Sequence, residues 1–151
     1  MRFERDEQAG VTLRASLISH GIFILIALGL CAKVMMETPP RRVMALALVG
    51  YAAYMLLRVL RFLRLYSLWK NAYFEMADDR ARGFATDPNL RPGKPFDIPA
   101  GDVKKAELTT VPMTQRTPLN ALMLATEEEI YIIVGLVADE ETRRVFHLDG
   151  E

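Results

Sequence analysis

Two long apolar runs dominate the first half of the chain: Ala15 to Ala32 (ASLISHGIFILIALGLCA) and Val43 to Leu57 (VMALALVGYAAYMLL). A polar connection with Glu37, Pro39, Pro40, Arg41 and Arg42 separates them. The first run holds 18 residues without a formal charge, and at 1.5 Å per residue that is about 27 Å of helix, close to the hydrocarbon thickness of a bilayer. It predicts a transmembrane helix. Lys33 can snorkel from its far end, and the two prolines stop it because neither can continue an α-helix. The second run spans only about 22 Å by itself; Val59, Leu60, Phe62 and Leu63 lengthen it when Arg58 and Arg61 reach for headgroups. Residues 15–70 are therefore expected to form a membrane helical hairpin, and residues 1–14 a short polar tail. A secretory signal would place a short apolar core nearer the start and follow it with a cleavage site, so the run reads as an anchor.

After Lys70 the periodicity changes from helical to alternating. Ala72 to Met76 reads as a strand leading to a turn at Asp78 and Asp79, with Ala81 to Ala85 as its return. Thr86 to Pro95 is a loop by its proline and glycine content. Phe96-Asp-Ile-Pro then opens a segment in which Val103 to Val111 is the next strand. Leu119 to Ala125 and Ile130 to Val137 flank Thr126-Glu-Glu-Glu129. Thr126 and Glu129 fit a capping box that would start a helix, but the β-branched and aromatic density of Ile130-Tyr-Ile-Ile-Val134 favours a β-hairpin with an acidic tip. Asp139 to Thr142 gives another turn and Arg143 to Leu148 a last short strand. These five or six short strands predict a small antiparallel sandwich or barrel over residues 71–151.

Charge adds an orientation. Residues 1–70 carry 10 Lys/Arg against 4 Asp/Glu, and residues 71–151 carry 9 against 15. Arg58, Arg61 and Arg64 fall within about 120° of one another on a helix, and Tyr66, Trp69 and Lys70 follow as an aromatic belt with one more cation. This basic exit from the second helix predicts that both termini lie in the cytoplasm. The acidic remainder argues against a nucleic-acid surface. Cys31 is the single cysteine; it reads as a small hydrophobe and has no intrachain partner for a disulfide.

Candidate functional residues are few. Gly21, Gly29, Ala47, Gly50 and Ala53 are candidates for close helix packing, first within the hairpin and second between protomers. His20 is the one ionisable side chain inside the first run. It is read as a neutral imidazole bonded to Ser16 or to headgroups, with a proton relay as the alternative. A hydrolase needs a nucleophile with a base in reach, yet the serines are Ser16, Ser19 and Ser67, all on membrane-associated helix, and the histidines are His20 and His147. One cysteine and two distant histidines cannot supply a zinc site, and no glycine-rich loop ends in Lys-Ser/Thr. Glu127, Glu128 and Glu129 read as a solvated hairpin tip and not as a cation site, because adjacent residues point different ways. His147 reads as structural. No cofactor and no metal are expected.

Three stretches carry a resemblance: Asn71-Ala-Tyr-Phe-Glu-Met-Ala-Asp-Asp79, Phe96-Asp-Ile-Pro-Ala-Gly-Asp-Val-Lys-Lys-Ala-Glu-Leu108 and Leu122-Met-Leu-Ala-Thr-Glu-Glu-Glu-Ile-Tyr-Ile-Ile133. Placed after two membrane helices, they resemble bacterial membrane proteins with a pleckstrin-homology-like domain, the YcxB-like group, over about residues 16 to 137. The resemblance implies a PH-like antiparallel domain at the cytoplasmic face of the inner membrane. That family's domain closes with an amphipathic helix, whereas Ala138 to Glu151 is short and strand-like. The expected function is a non-enzymatic membrane protein whose domain binds or scaffolds another protein, with membrane lipids as further partners. A second reading is an accessory subunit or regulator of a transporter or membrane enzyme, contacting it through the hairpin; homo-oligomerisation through Gly50 is a third.

Overall fold

The computed structural model describes residues 4–39, 41–113 and 118–137. In order, the elements are β1 (Glu4–Arg5), α1 (Glu7–Met36), α2 (Arg42–Asn71), β2 (Phe74–Ala77), β3 (Arg80–Ala85), β4 (Lys94–Pro99), β5 (Lys105–Pro112), β6 (Pro118–Ala125), β7 (Ile130–Val134) and β8 (Leu136–Val137). The chain divides into two compact units, one of Thr12–Arg64 and one that joins the residues up to Val11 with those from Leu65 onward.

The unit Thr12–Arg64 is built from two helices, each long and apolar enough to cross a membrane. Both α1 and α2 have 30 residues, about 45 Å at helical rise. One set of residues withdrawn from the surface runs along α1 (Leu17, His20, Ile24, Ala27, Cys31 and Val34) and another along α2 (Ala45, Leu48, Ala52, Met55, Val59 and Phe62), with Thr12, Leu13, Ser16, Gly21 and Arg58 covered or half-covered beside them. Each set is spaced alternately by three and four residues, the 3.5-residue period of a left-handed coiled seam. Two contacts fix the antiparallel pairing: Cys31 Sγ donates to the Ala45 carbonyl at 3.6 Å, and the His20 and Phe62 rings meet edge to face at 4.9 Å.

This seam corrects the expected packing face. A Cβ placed on Gly21, Gly29 or Gly50 would meet nothing within 4 Å, and Ala47 and Ala53 are exposed. The close approach uses other small residues, Ala27, Ala45 and Ala52, which are 3%, 5% and 7% exposed. Size alone singled out Ala47, Gly50 and Ala53, but the 3.5-residue period runs through Ala45, Ala52 and Val59 and leaves those three on another face.

The second unit holds two antiparallel three-stranded sheets, ordered β2-β3-β4 and β5-β6-β7. The β2–β3 hairpin turns through Asp78 and Asp79, whose φ angles of 52° and 58° are the left-handed pair that a two-residue hairpin of the right twist requires. Phe74, Ala81, Ala85 and Phe96 from the first sheet and Leu122, Leu124 and Ile133 from the second share one core with Ala72 and Leu136. The sheets are joined where Thr86 continues β3 and exchanges two backbone bonds with Ile132, each 2.8 Å. Among the described residues the sheets do not close into a barrel.

Two sequence expectations change here. The polar tail expected over residues 1–14 instead supplies β1 and the first turns of α1, because Asp6 caps the helix: its Oδ1 accepts from the backbone N–H of Gln8 at 3.0 Å and of Ala9 at 3.2 Å, satisfying donors that have no intrahelical partner. The loop expected to run to Pro95 ends earlier, and β4 begins at Lys94. Pro95 and Pro99 are tolerated there because β4 is an edge strand, where a missing N–H breaks no second ladder. The strand expected over Arg143–Leu148 lies outside the described residues.

Filling the seam should be costly and filling the open faces should not. Ala52→Leu is expected to destabilise the helix pair by about 1–3 kcal/mol through overpacking, and Ala47→Leu to stay within about 0.5 kcal/mol of the parent. Equilibrium unfolding in mild detergent, followed by circular dichroism, checks the difference.

Candidate functional site

His20 sits one helical turn after Ser16, so its ring reaches back to the Ser16 carbonyl at 2.7 Å. A carbonyl only accepts, so Nδ1 carries the proton in this bond. The partner is the Ser16 backbone and not its hydroxyl. With the Phe62 ring edge to face with it, the imidazole is held by the seam.

Of the basic residues at the end of α2, Arg58 is half-buried with its guanidinium 5.7 Å from the Tyr54 ring centroid, within cation–π range. Arg61 and Arg64 are exposed. Trp69 has partners from both ends of the described chain. Its Nε1–H donates to the Asp6 carbonyl at 2.8 Å, and its ring lies so close to Gly10 and Gly135 that a Cβ on either would collide with it. The Lys70 carbonyl, near the end of α2, accepts from Arg5 Nη1 at 2.8 Å, a side-chain cap on a helix C-terminus. Asp6 N–H donates to the Gly135 carbonyl at 2.8 Å, and β1 pairs with β8 in the register Glu4↔Val137 and Arg5↔Leu136. Sequence reasoning placed Trp69 and Lys70 at the headgroups and missed their partners Arg5, Asp6, Gly10 and Gly135. The one local signal was Asp6 directly ahead of Glu7, an N-cap followed by an acid in the first turn.

The β unit carries two neighbouring hollows. One, of about 460 Å³, is lined by Ile98, Asp102, Lys104, Thr126, Glu127, Glu128, Glu129 and Tyr131. The other, of about 360 Å³, is lined by Ala85, Thr86, Asp87, Pro88, Arg91, Pro92, Lys94, Glu129, Ile130 and Tyr131. Glu129 and Tyr131 belong to both. The tip between β6 and β7 is the hairpin the sequence predicted, and Thr126 still caps as a helix N-cap would: its hydroxyl oxygen accepts from the N–H of Glu128 at 3.3 Å and of Glu129 at 3.0 Å. The carboxylates diverge, with Glu127 on Lys104 at 3.2 Å and Glu129 on Lys94 at 3.7 Å. These are solvent-exposed pairs of small energetic worth. Among the described residues no group of three His, Cys, Asp or Glu side chains is placed to hold a metal ion, and His147 lies outside those residues.

Among the described residues of the β unit, two ionisable groups are shifted. The Asp97 carboxyl is held below the usual range, chiefly by the hydrogen bond from Arg80 Nε at 2.7 Å, with Arg82 at 3.3 Å adding to it. Tyr131 is pushed above the usual tyrosine range, first by burial and then by its hydrogen bond to Glu129 and the charges of Glu129 and Glu128. Its ring rests on Phe96 at 4.8 Å.

Comparison with protein-family models, with curated proteins and with solved structures finds no match to the chain.

Because the folded state raises the Tyr131 value, its contribution to stability is complete below the ordinary tyrosine value of about 10 and is lost as pH rises through the raised one. In an ultraviolet difference titration against Tyr131→Phe, Tyr131 is expected to ionise later than an unperturbed tyrosine. Glu129→Gln is expected to bring it only part of the way back, since burial is the larger cause; a full return would contradict that ordering.

Proposed function

We propose that this chain is a non-enzymatic protein of the bacterial cytoplasmic (inner) membrane. Its two helices cross as a hairpin with both ends in the cytoplasm, and its β unit is a protein-binding or scaffolding module at that face. The observation that carries this reading is the outward-facing apolar surface over residues 12–64. Ala27, Ala45 and Ala52 are buried in the seam, while Leu25, Leu46 and Leu57 stand outward at 71%, 73% and 67% exposure. Water would penalise such a surface at about 25 cal/mol per Å² of apolar area, whereas lipid does not, and in lipid close packing at small residues is what brings helices together.

Orientation is supported by two further observations. The basic side chains Arg58, Arg61 and Arg64 at the end of the second crossing favour the cytoplasmic leaflet, by about 1 kcal/mol per cation near anionic lipid. The backbone bonds between residues 4–6 and 135–137 require those segments to share one side. The resemblance to membrane-anchored PH-like domains motivates a binding role. Phosphoinositide recognition is not part of the proposal, since residues 71–151 are acidic.

The open faces at Gly21, Gly29, Ala47, Gly50 and Ala53 favour a second reading, an accessory subunit or regulator whose hairpin packs against a transporter or membrane enzyme. Nothing stands where a Cβ would project from the three glycines, so a neighbouring helix can approach closely there. His20→Leu and Gly50→Leu separate the readings: a scaffold keeps its partner through both, and an accessory subunit loses its partner's activity at unchanged membrane level. Reversing Arg58, Arg61 and Arg64 together to Glu is expected to invert or destabilise the insertion. A carboxy-terminal reporter that stays cytoplasmic at normal abundance would remove the arginines from that role.

A further inference from the structure

We propose that Glu4–Gly10 is a strap whose docking makes completion of the β unit, by a strand paired with β8, conditional on both helices crossing the membrane. The inference rests on the hairpin topology proposed above and goes beyond it.

The strap is bound at four places by segments far along the chain. β1 pairs with β8, Asp6 N–H donates to Gly135 and its carbonyl accepts from Trp69, and Arg5 caps α2 through the Lys70 carbonyl. The site is shaped for this contact. Gly10 and Gly135 both lie where a Cβ would strike the indole, and Gly135 has a φ of 78°, which L side chains rarely adopt. Leu136, fully buried in the core of the β unit, lies opposite Arg5 in the β1–β8 register.

Between Arg5 and Leu136 the chain runs through both apolar helices. With both across the bilayer, the strap and β8 share one side. With only one across, about 30 Å of hydrocarbon separates them, and none of these bonds can form. The β unit then keeps its sheets but lacks the strand that pairs with β8, and the Trp69 N–H loses its acceptor. The strap thereby ties presentation of a finished module to completed insertion of the chain that carries it.

The test uses the full chain with Cys31→Ser, Glu4→Cys and Val137→Cys in bacterial inner-membrane vesicles, with topology reporters at both ends. Oxidation is expected to give an intramolecular cross-link, seen as a monomer of shifted mobility that reductant restores. Adding Leu46→Arg and Val49→Arg, at two exposed positions of α2, is expected to block the second crossing, move the carboxy-terminal reporter to the other face and abolish the cross-link. In a parallel measurement without the cysteines, Trp69, the only tryptophan, is expected to become as accessible to acrylamide in the blocked chain as in Gly10→Leu, where the strap is displaced. The proposal is overturned by absence of the cross-link in the normally inserted chain, or by a blocked chain whose Trp69 stays as protected as in the parent. Reporters on opposite faces in the parent overturn the hairpin as well, so the two failures are told apart.

Discussion

Asp6 is the residue on which the architecture turns, because all of its hydrogen-bonding groups are committed to different parts of the chain. Its carboxylate caps α1, its N–H is spent on Gly135, and its carbonyl holds the Trp69 indole. One residue thus fixes where the first helix begins, where the end of the second is held, and where the last described strand lies. A side chain without an oxygen acceptor here would return two helix N–H groups to solvent. A proline would also remove the donor to Gly135.

The unit of residues 12–64 answers to a different constraint. Its seam mixes small residues, Ala27, Ala45 and Ala52, with a cysteine, a histidine and larger side chains such as Val34 and Phe62, while many more large apolar side chains face outward. Such a pair gains little from the hydrophobic effect between its own helices and depends on van der Waals contact along the seam. The same feature makes His20 understandable without a catalytic role. On the seam, with Nδ1–H donating to the Ser16 carbonyl and the Phe62 ring edge to face with it, the imidazole has a place to be polar inside an apolar surface.

Much of this was legible in the sequence where a single local rule governs. Uninterrupted apolar length located both helices, Asp78-Asp79 marked the first hairpin, and the β-branched run after Glu129 decided between helix and strand. What stayed hidden depends on pairings across the chain. The two residues of β1 have no periodicity to read, and only Leu136 and Val137, more than a hundred residues away, make them a strand. The packing face was missed for a related reason: the small residues that catch the eye, Gly50 among them, are not on the 3.5-residue period that brings Ala45 and Ala52 inward. Trp69 next to Lys70 matches an interfacial belt by composition, and nothing nearby signals that Gly10 and Gly135 are small in order to receive it.

The compact unit that holds the sheets draws on both sides of the helix pair, joining the residues up to Val11 with those from Leu65 onward. The two sheets exchange backbone bonds at Thr86 and Ile132 and otherwise cohere through side chains such as Phe74, Phe96, Leu122 and Ile133. Leu136 belongs to the same core, yet it stands on a two-residue strand that pairs with β1, and a two-residue ladder cannot sustain itself in water. Completing that core requires residues that precede the first helix, and holding Trp69 requires the end of the second. Cutting the chain at residue 71 would thus remove both the strand opposite Leu136 and the indole that packs on Gly135.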